Sequence, residues 1–240
     1  MVSKLTVSWF SAGVSSFIAA YLLRDEIDKI MYIHIDDQHE DSIRFLKDCE
    51  KAIGKEIEIL QSQYKTVEST IKQFKYINGP GGATCTRILK KRVRKEWEME
   101  NKGKQITYIW GYDLEERHRR DRLLESMPEF EHKFPLIEKQ LKKEDVHGML
   151  RKLGIKRPKM YDLGYSNNNC IGCVKGGMGY WNKIRRDFPD TFENMARLER
   201  SIGASCINGV YLDELDPNRG RMEEEIMDDC NIICQLSMEG

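Results

Sequence analysis

The chain has no run of 18 or more predominantly apolar residues, and so no segment that reads as a membrane-spanning helix. It has no excess of either charge: 39 lysines and arginines balance 39 aspartates and glutamates. A global pull toward polyanions is thereby excluded, and any such attraction has to come from a local patch. Prolines number only six, and neither an internal repeat nor a low-complexity linker interrupts the sequence, which excludes solenoid and disordered classes. No secretory leader opens it either, because Met1 to Lys4 leads directly into a strand-like stretch, and a cytoplasmic location without membrane partners is expected. Seven cysteines are an odd number for such a chain, and favour metal or redox chemistry over a disulfide framework.

What is present is an alternation of two periodicities. Leu5 to Phe10, Lys29 to Ile35, Glu56 to Leu60 and Gln105 to Gly111 read as strands; Val14 to Arg24, Asp41 to Ile53, Val67 to Phe74, Thr86 to Glu100 and Leu114 to about Leu124 read as the helices between and after them. Strands separated by helices need parallel crossovers, so the predicted fold is α/β: an open, mostly parallel sheet with helices on both faces. Beyond it, Val146 to Leu153 reads as helix and Lys156 to Asn169 as loop. Trp181 to Phe188 and Phe192 to Ile202 read as helices separated by Pro189, with Tyr180, Trp181, Phe188 and Phe192 packing a helical cap.

The first strand breaks into Ser11-Ala12-Gly13-Val14-Ser15-Ser16 before the first helix. At the carboxyl end of a parallel strand, small residues and hydroxyls at a helix N-terminus can receive an anion, and an ordinary helix cap is the plainer reading. The loop lacks the Lys-Ser/Thr ending of the Walker loop and the three glycines of the dinucleotide fingerprint. It resembles the PP-loop, Ser-Gly-Gly-x-Asp-Ser, of the adenine nucleotide alpha-hydrolase superfamily: Ser11, Gly13 and Ser16 match, Ala12 replaces a glycine and Ser15 an aspartate.

Further segments in order resemble the phosphoadenosine phosphosulfate (PAPS) reductase family within that superfamily. They are Ile35-Asp36-Asp37 with the following helix, Cys85-Thr86-Arg87-x-x-Lys90, Gly111-Tyr-Asp-Leu-Glu-Glu116, Phe134-Pro135-Leu136 with Asp145-Val146, and Gly164-Tyr165 before Cys170-x-x-Cys173. The resemblance implies a nucleotide-binding domain over residues 1–165 and a cysteine-rich C-terminal helical region over 166–240. The nucleotide-binding residues it implies are Ser11, Ala12, Gly13, Ser15, Ser16, Asp36, Asp37 and Gly111. Asp113 stands where the family has an arginine facing the anionic end of the nucleotide, so Arg117 and Arg120 of the next helix are the expected replacements, with a solvated charged face as the alternative. Asp36 and Asp37 are expected on the nucleoside side rather than in a metal site with His34 and His39; His118, His132 and His147 are expected at the surface. The basic run Lys90 to Lys95 is expected on a salt-bridged, exposed helix.

The Cys170-x-x-Cys173 spacing lets two thiolates chelate one metal centre, and Cys230-x-x-x-Cys234 supplies a second pair. The family resemblance implies Cys85, Cys170 and Cys173 as ligands of an iron-sulfur cluster, 4Fe-4S in type with zinc as the alternative. Cys234, Cys206 or Cys230 would complete it, or the fourth position would stay open. Cys230 also faintly resembles the family's catalytic cysteine on the tail, and Cys49 is the expected bystander. Three functions follow. The first is reduction of PAPS or adenylyl sulfate to sulfite with an external thiol reductant. The second is ATP-dependent sulfur transfer to tRNA or DNA from a sulfur donor, and the third is a non-catalytic, metal-stabilised nucleotide-binding protein.

Overall fold

The computed structural model describes residues 3–79 and 81–222. Five strands form one all-parallel sheet in the order β3-β2-β1-β4-β5: β1 (Lys4–Phe10), β2 (Lys29–His34), β3 (Ile57–Gln61), β4 (Gln105–Ile109) and β5 (Glu131–Lys133). Helix α1 (Val14–Leu22), α2 (Asp41–Ile53), α3 (Val67–Phe74) and α4 (Arg92–Glu100) supply the crossovers, and α5 (Arg117–Ser126) leads to β5. The short α6 (Pro135–Glu138), α7 (Lys143–Lys152) and α8 (Lys159–Asp162) follow, then α9 (Met178–Asp187) and α10 (Pro189–Ile202).

Alternation along β1 explains why both faces are covered. Leu5, Val7 and Trp9 point to the side where Val93, Trp97 and Leu123 of α4 and α5 pack, while Phe10 joins α1, α2 and α7 through Phe17, Phe45 and Val146. A strand buried on both faces must be central, and β1 is flanked by β2 and β4. The chain leaves β1 toward β2 on one side and reaches β4 on the other. The loops after β1 and β4 therefore part at the switch point, where open α/β sheets bind ligands.

Three sequence expectations are corrected. Residues 131–133 form a fifth strand, unforeseen because Glu-His-Lys has neither length nor an apolar alternation; edge pairing with β4 makes it a strand. Lys156 to Asn169 is not all loop, since α8 opens directly after Pro158, whose fixed φ suits a helix start. Pro189 does not separate the last two helices as a spacer but stands at the first position of α10, where a missing N–H costs nothing.

The third core joins this sheet to the following helices. Ile35, Val67, Ile71 and Leu89 pack with Tyr180, Trp181, Ile184 and Phe192, so the expected aromatic cap is present and buried. Cys49 is wholly buried on α2, which bears out its reading as a small hydrophobe. Residues 223–240 lie outside the described residues, and with them Cys230 and Cys234. Phe45 is fully buried between the rings of Phe10 and Phe17, 6.1 and 6.0 Å away between centroids. Phe45→Ala is expected to cost about 3–5 kcal/mol of stability, read as a lower urea midpoint with an unchanged slope.

Candidate functional site: a phosphate pocket beside a thiol cavity

The serine loop is closed from within. The Ser16 hydroxyl donates to the Gly13 carbonyl at 2.9 Å and accepts from the Ser11 amide and hydroxyl at 3.1 and 3.0 Å. Ser16 is thus a clamp on the loop's shape, and Ser11, Gly13 and Ser15 present the surface that faces the pocket with it. No side chain caps α1, so the first-turn N–H groups remain directed at the pocket with the positive end of the helix behind them. Ala12, where the family loop has glycine, is wholly buried at φ 59°, a left-handed conformation that glycine adopts without cost and alanine does not. It does not line the pocket; its carbonyl accepts from the Asn168 amide at 2.8 Å.

Gly111, two residues past β4, closes the opposite wall. A Cβ there would fall 2.5 Å from Ser16 Cα and 2.6 Å from its nitrogen, so only glycine lets the two loops meet. Next to it Asp113 caps the helical turn that leads to α5. Its carboxylate accepts from the Glu115 N–H at 3.0 Å, while Glu116 accepts from the Asp113 N–H at 3.2 Å. The aspartate in the family's arginine position is therefore a helix cap, the role that suits a short carboxylate and not a guanidinium.

The pocket, of about 230 Å3, is walled by the serine loop, Gly111, Asp113, Glu115, Glu116, Lys143, Tyr161 and residues 167–169. From α5 it takes His118 and Arg119, not Arg117 or Arg120; the half-buried Arg120 guanidinium instead pairs with Asp121 at 2.7 Å. Arg119 is buried, ion-paired with Glu116 and stacked 5.0 Å over Tyr112. Arg117 and Arg120 were the expected arginines; the helical phase set by the Asp113 cap brings Arg119 to the pocket instead. Asp36 and Asp37 sit at the end of β2 and do not line this pocket. Asp36 accepts from Gln61 at 2.6 Å, and Asp37 accepts from the Val67 N–H at 2.8 Å at the start of α3. Burial raises the Asp37 carboxyl above its usual range.

Thr86 to Lys91 is a π-helical segment rather than the start of a uniform α-helix. Its wider turn pairs residues five apart, and Cys85 and Lys90 line one cavity. Lys91 and Arg94 are buried, the latter paired with Glu98 at 3.2 Å, so the basic run is exposed only in part; the expected surface pair survives as Arg92 with Glu96 at 2.8 Å. Lys90 also lines the phosphate pocket and the aromatic recess of Trp9, Phe10, Trp110 and Tyr112 behind it.

Cys170 and Cys173 complete the thiol cavity with Cys85, Ile35, Val67, Thr86 and Val174. Their knuckle is held by the buried Tyr180, whose hydroxyl accepts from the Cys173 N–H at 2.8 Å and donates to the Cys170 carbonyl at 3.2 Å. Gly172 makes the turn at φ 73°. The Ile171 N–H donates to the Asp37 carbonyl at 2.8 Å, tying the knuckle to the loop after β2. Three buried sulfurs around one cavity are a soft donor set that fits zinc or an iron-sulfur cluster. Cys206 does not line the cavity: its N–H donates to the buried Glu199 carboxylate at 2.5 Å, and burial with that carboxylate pushes its thiol well up.

The phosphoadenosine phosphosulfate reductase domain family matches residues 5–177. The chain belongs to that family. An uncharacterised protein of Methanocaldococcus jannaschii is 23% identical over 213 residues, which cover 83% of this chain and 42% of that protein, so the family member described here spans less than half of its relative's length. The matched span covers the serine loop, the π-helical segment with Cys85, the Gly111 turn and the Cys170 knuckle.

Gly111→Ala is expected to push the two loops apart and to cost about 1–3 kcal/mol of stability, read as a lower urea midpoint. His147 of α7 is neither exposed nor catalytic in placement. It packs edge-on against Tyr161 at 4.9 Å, and burial, together with Lys143, Arg157 and Arg151, lowers its pKa to about 4. A depressed histidine stays neutral in the folded state while the unfolded chain takes up the proton, so its share of stability is lost as pH falls from 6.5 to 4. His147→Gln is expected to flatten that decline in urea midpoints and to leave stability above pH 7 nearly unchanged.

Proposed function

We propose that this chain binds an adenine nucleotide with its phosphates on the serine loop and couples it to sulfur chemistry at the adjoining thiols, reducing PAPS or adenylyl sulfate to sulfite. One observation carries this reading: Lys90 lines the phosphate pocket, the aromatic recess and the thiol cavity at once. A nucleotide whose phosphates lie in the first therefore brings its anionic end toward the third. The α1 amides and the ammonium of Lys90 offset the phosphate charge, and Arg119 and Lys143 face it from the opposite wall.

In this reading the Cys230 thiolate, from outside the described residues, attacks the sulfonyl sulfur. The bond between that sulfur and the nucleotide's phosphate oxygen breaks, and the nucleotide leaves with the electron pair. An external thiol then attacks the cysteine sulfur of the thiosulfonate and releases sulfite. Two thiols end as a disulfide while sulfur falls from the +6 to the +4 state. Cys85, Cys170 and Cys173 would hold an iron-sulfur cluster, or zinc in its place, with Cys234 as the expected fourth ligand; the group would tie the knuckle to the π-helical segment beside the reacting end of the nucleotide. Asp36 and Asp37 are assigned to the nucleoside side of the same site.

A second reading, ATP-dependent sulfur transfer to a nucleic acid, is favoured by one feature: the phosphate pocket opens into a wide cationic groove with which it shares Glu115, Lys143 and Tyr161. Anaerobically purified protein supplied with a dithiol separates the two. Sulfite release from PAPS or adenylyl sulfate, reduced by at least about 100-fold in Cys230→Ser, is the expected result. Absence of sulfite from folded, metal-loaded protein, with pyrophosphate released from ATP instead, would move the function to the second reading.

A further inference from the structure

Beside the phosphate pocket lies a wider groove, of about 1010 Å3 against about 230 Å3. One bank is α7 with the residue before it, contributing Lys142, Lys143, His147 and Arg151; the other is the segment from Ile155 to Ser166, contributing Lys156, Arg157 and Tyr161. Five permanent cations thus face two carboxylates, Glu115 and Glu144, in a protein whose overall charge is zero. Among the described residues Lys142, Arg151 and Lys156 form no ion pair; Arg157 pairs with Asp162 at 2.7 Å, and Lys143 donates to Asn167 at 2.9 Å. A row of cations along the wall of a groove, three of them without an ion pair among the described residues, is the footprint of an anionic partner.

The layout separates a chain of phosphates from a single one. Lys143, His147 and Arg151 recur every four residues, so they share a face of α7 and span about 12 Å along it. A phosphate monoester reaches one end of that row, whereas successive phosphodiesters reach both. The groove also ends at the reacting centre. Tyr161 forms its floor against His147, and the Tyr161 hydroxyl lies 3.5 Å from where a Cβ on Gly13 would stand. A strand lying on the cations would therefore bring one nucleotide to the mouth of the phosphate pocket.

We propose that the groove between α7 and the Ile155–Ser166 segment is a binding site for a single strand of nucleic acid, running past the adenine-nucleotide pocket. It deepens the second reading above and rests on it for its purpose, while the binding itself is measured separately. Backbone contacts dominate the recognition, so affinity is set by salt more than by sequence.

The test uses the full chain and fluorescein-labelled 20-nucleotide RNA and DNA of mixed sequence, by fluorescence anisotropy at several salt concentrations. Binding of at least one strand is expected, with log Kd rising against log salt at a slope of about 3, as four or five phosphate contacts imply. Lys142→Ala, Arg151→Ala and Lys156→Ala combined should lower that slope by about 2. All three side chains are exposed, and the triple variant should keep its adenine-nucleotide affinity. Lys90→Ala should do the reverse, weakening the nucleotide and sparing the strand. No binding of either strand at low salt, binding indifferent to the triple substitution, or full competition by a 5′-mononucleotide would overturn the proposal. A strand that binds as described to a protein that does not bind adenine nucleotides would uphold the groove and remove the reading of the pocket.

Discussion

The backbone of Gly111 rests so closely against that of Ser15 and Ser16 that a single methyl group would collide with three main-chain atoms. Everything else about the site depends on this contact. It sets the distance between the loops that leave β1 and β4, the two neighbouring strands whose connections part at the switch point of the sheet. With that distance fixed, the uncapped N-terminus of α1 and the turn capped by Asp113 become two walls of one pocket. The clamp made by the Ser16 hydroxyl holds the first wall in shape, and the Glu116–Arg119 pair holds the second.

A second chain of contacts joins this pocket to the thiols. Asn168 grips the carbonyl of the strained Ala12 and the hydroxyl of Ser42, at 2.8 and 3.0 Å, and two residues later Cys170 enters the knuckle that Tyr180 pins. The other end of the thiol cavity comes from the π-helical segment, whose five-residue pairing puts Lys90 over both sites. Strained or irregular backbone is tolerated where surrounding packing over-determines it, and here both irregular pieces border the same place. The phosphate pocket and the thiol cavity are accordingly one mechanical unit rather than two sites on a common scaffold.

Much of this was legible in the sequence, for physical reasons. Four strands and their crossover helices announced themselves because β1, β2 and β4 are short runs rich in β-branched, aromatic and aliphatic residues and helices such as α2 carry an amphipathic stripe. The serine loop, Gly111 and the Cys170 knuckle stood out because small residues and thiols are costly to place without a use. The edge strand Glu131–Lys133 was not legible, since its pairing and not its composition makes it a strand. Nor was the selection of Arg119 over its neighbours, which depends on the phase of α5 set by the Asp113 cap. Asn168 was hidden for a different reason: an asparagine run before a cysteine pair reads as loop, and only tertiary contact across more than 150 positions reveals its hold on Ala12. The cationic groove escaped notice because its two banks are separate in sequence and each reads as an ordinary solvated surface.

The claim that the serine loop receives nucleotide phosphate beside the thiol cavity is tested most directly by hydrogen exchange on the intact protein with and without an adenine nucleotide. Amides in residues 11–16 and in the Cys170 to Cys173 knuckle are expected to slow together, because Asn168 and Lys90 join the two places. Slowing confined to segments away from residues 11–16 would contradict the account, and slowing of the loop alone would contradict its union with the thiol cavity.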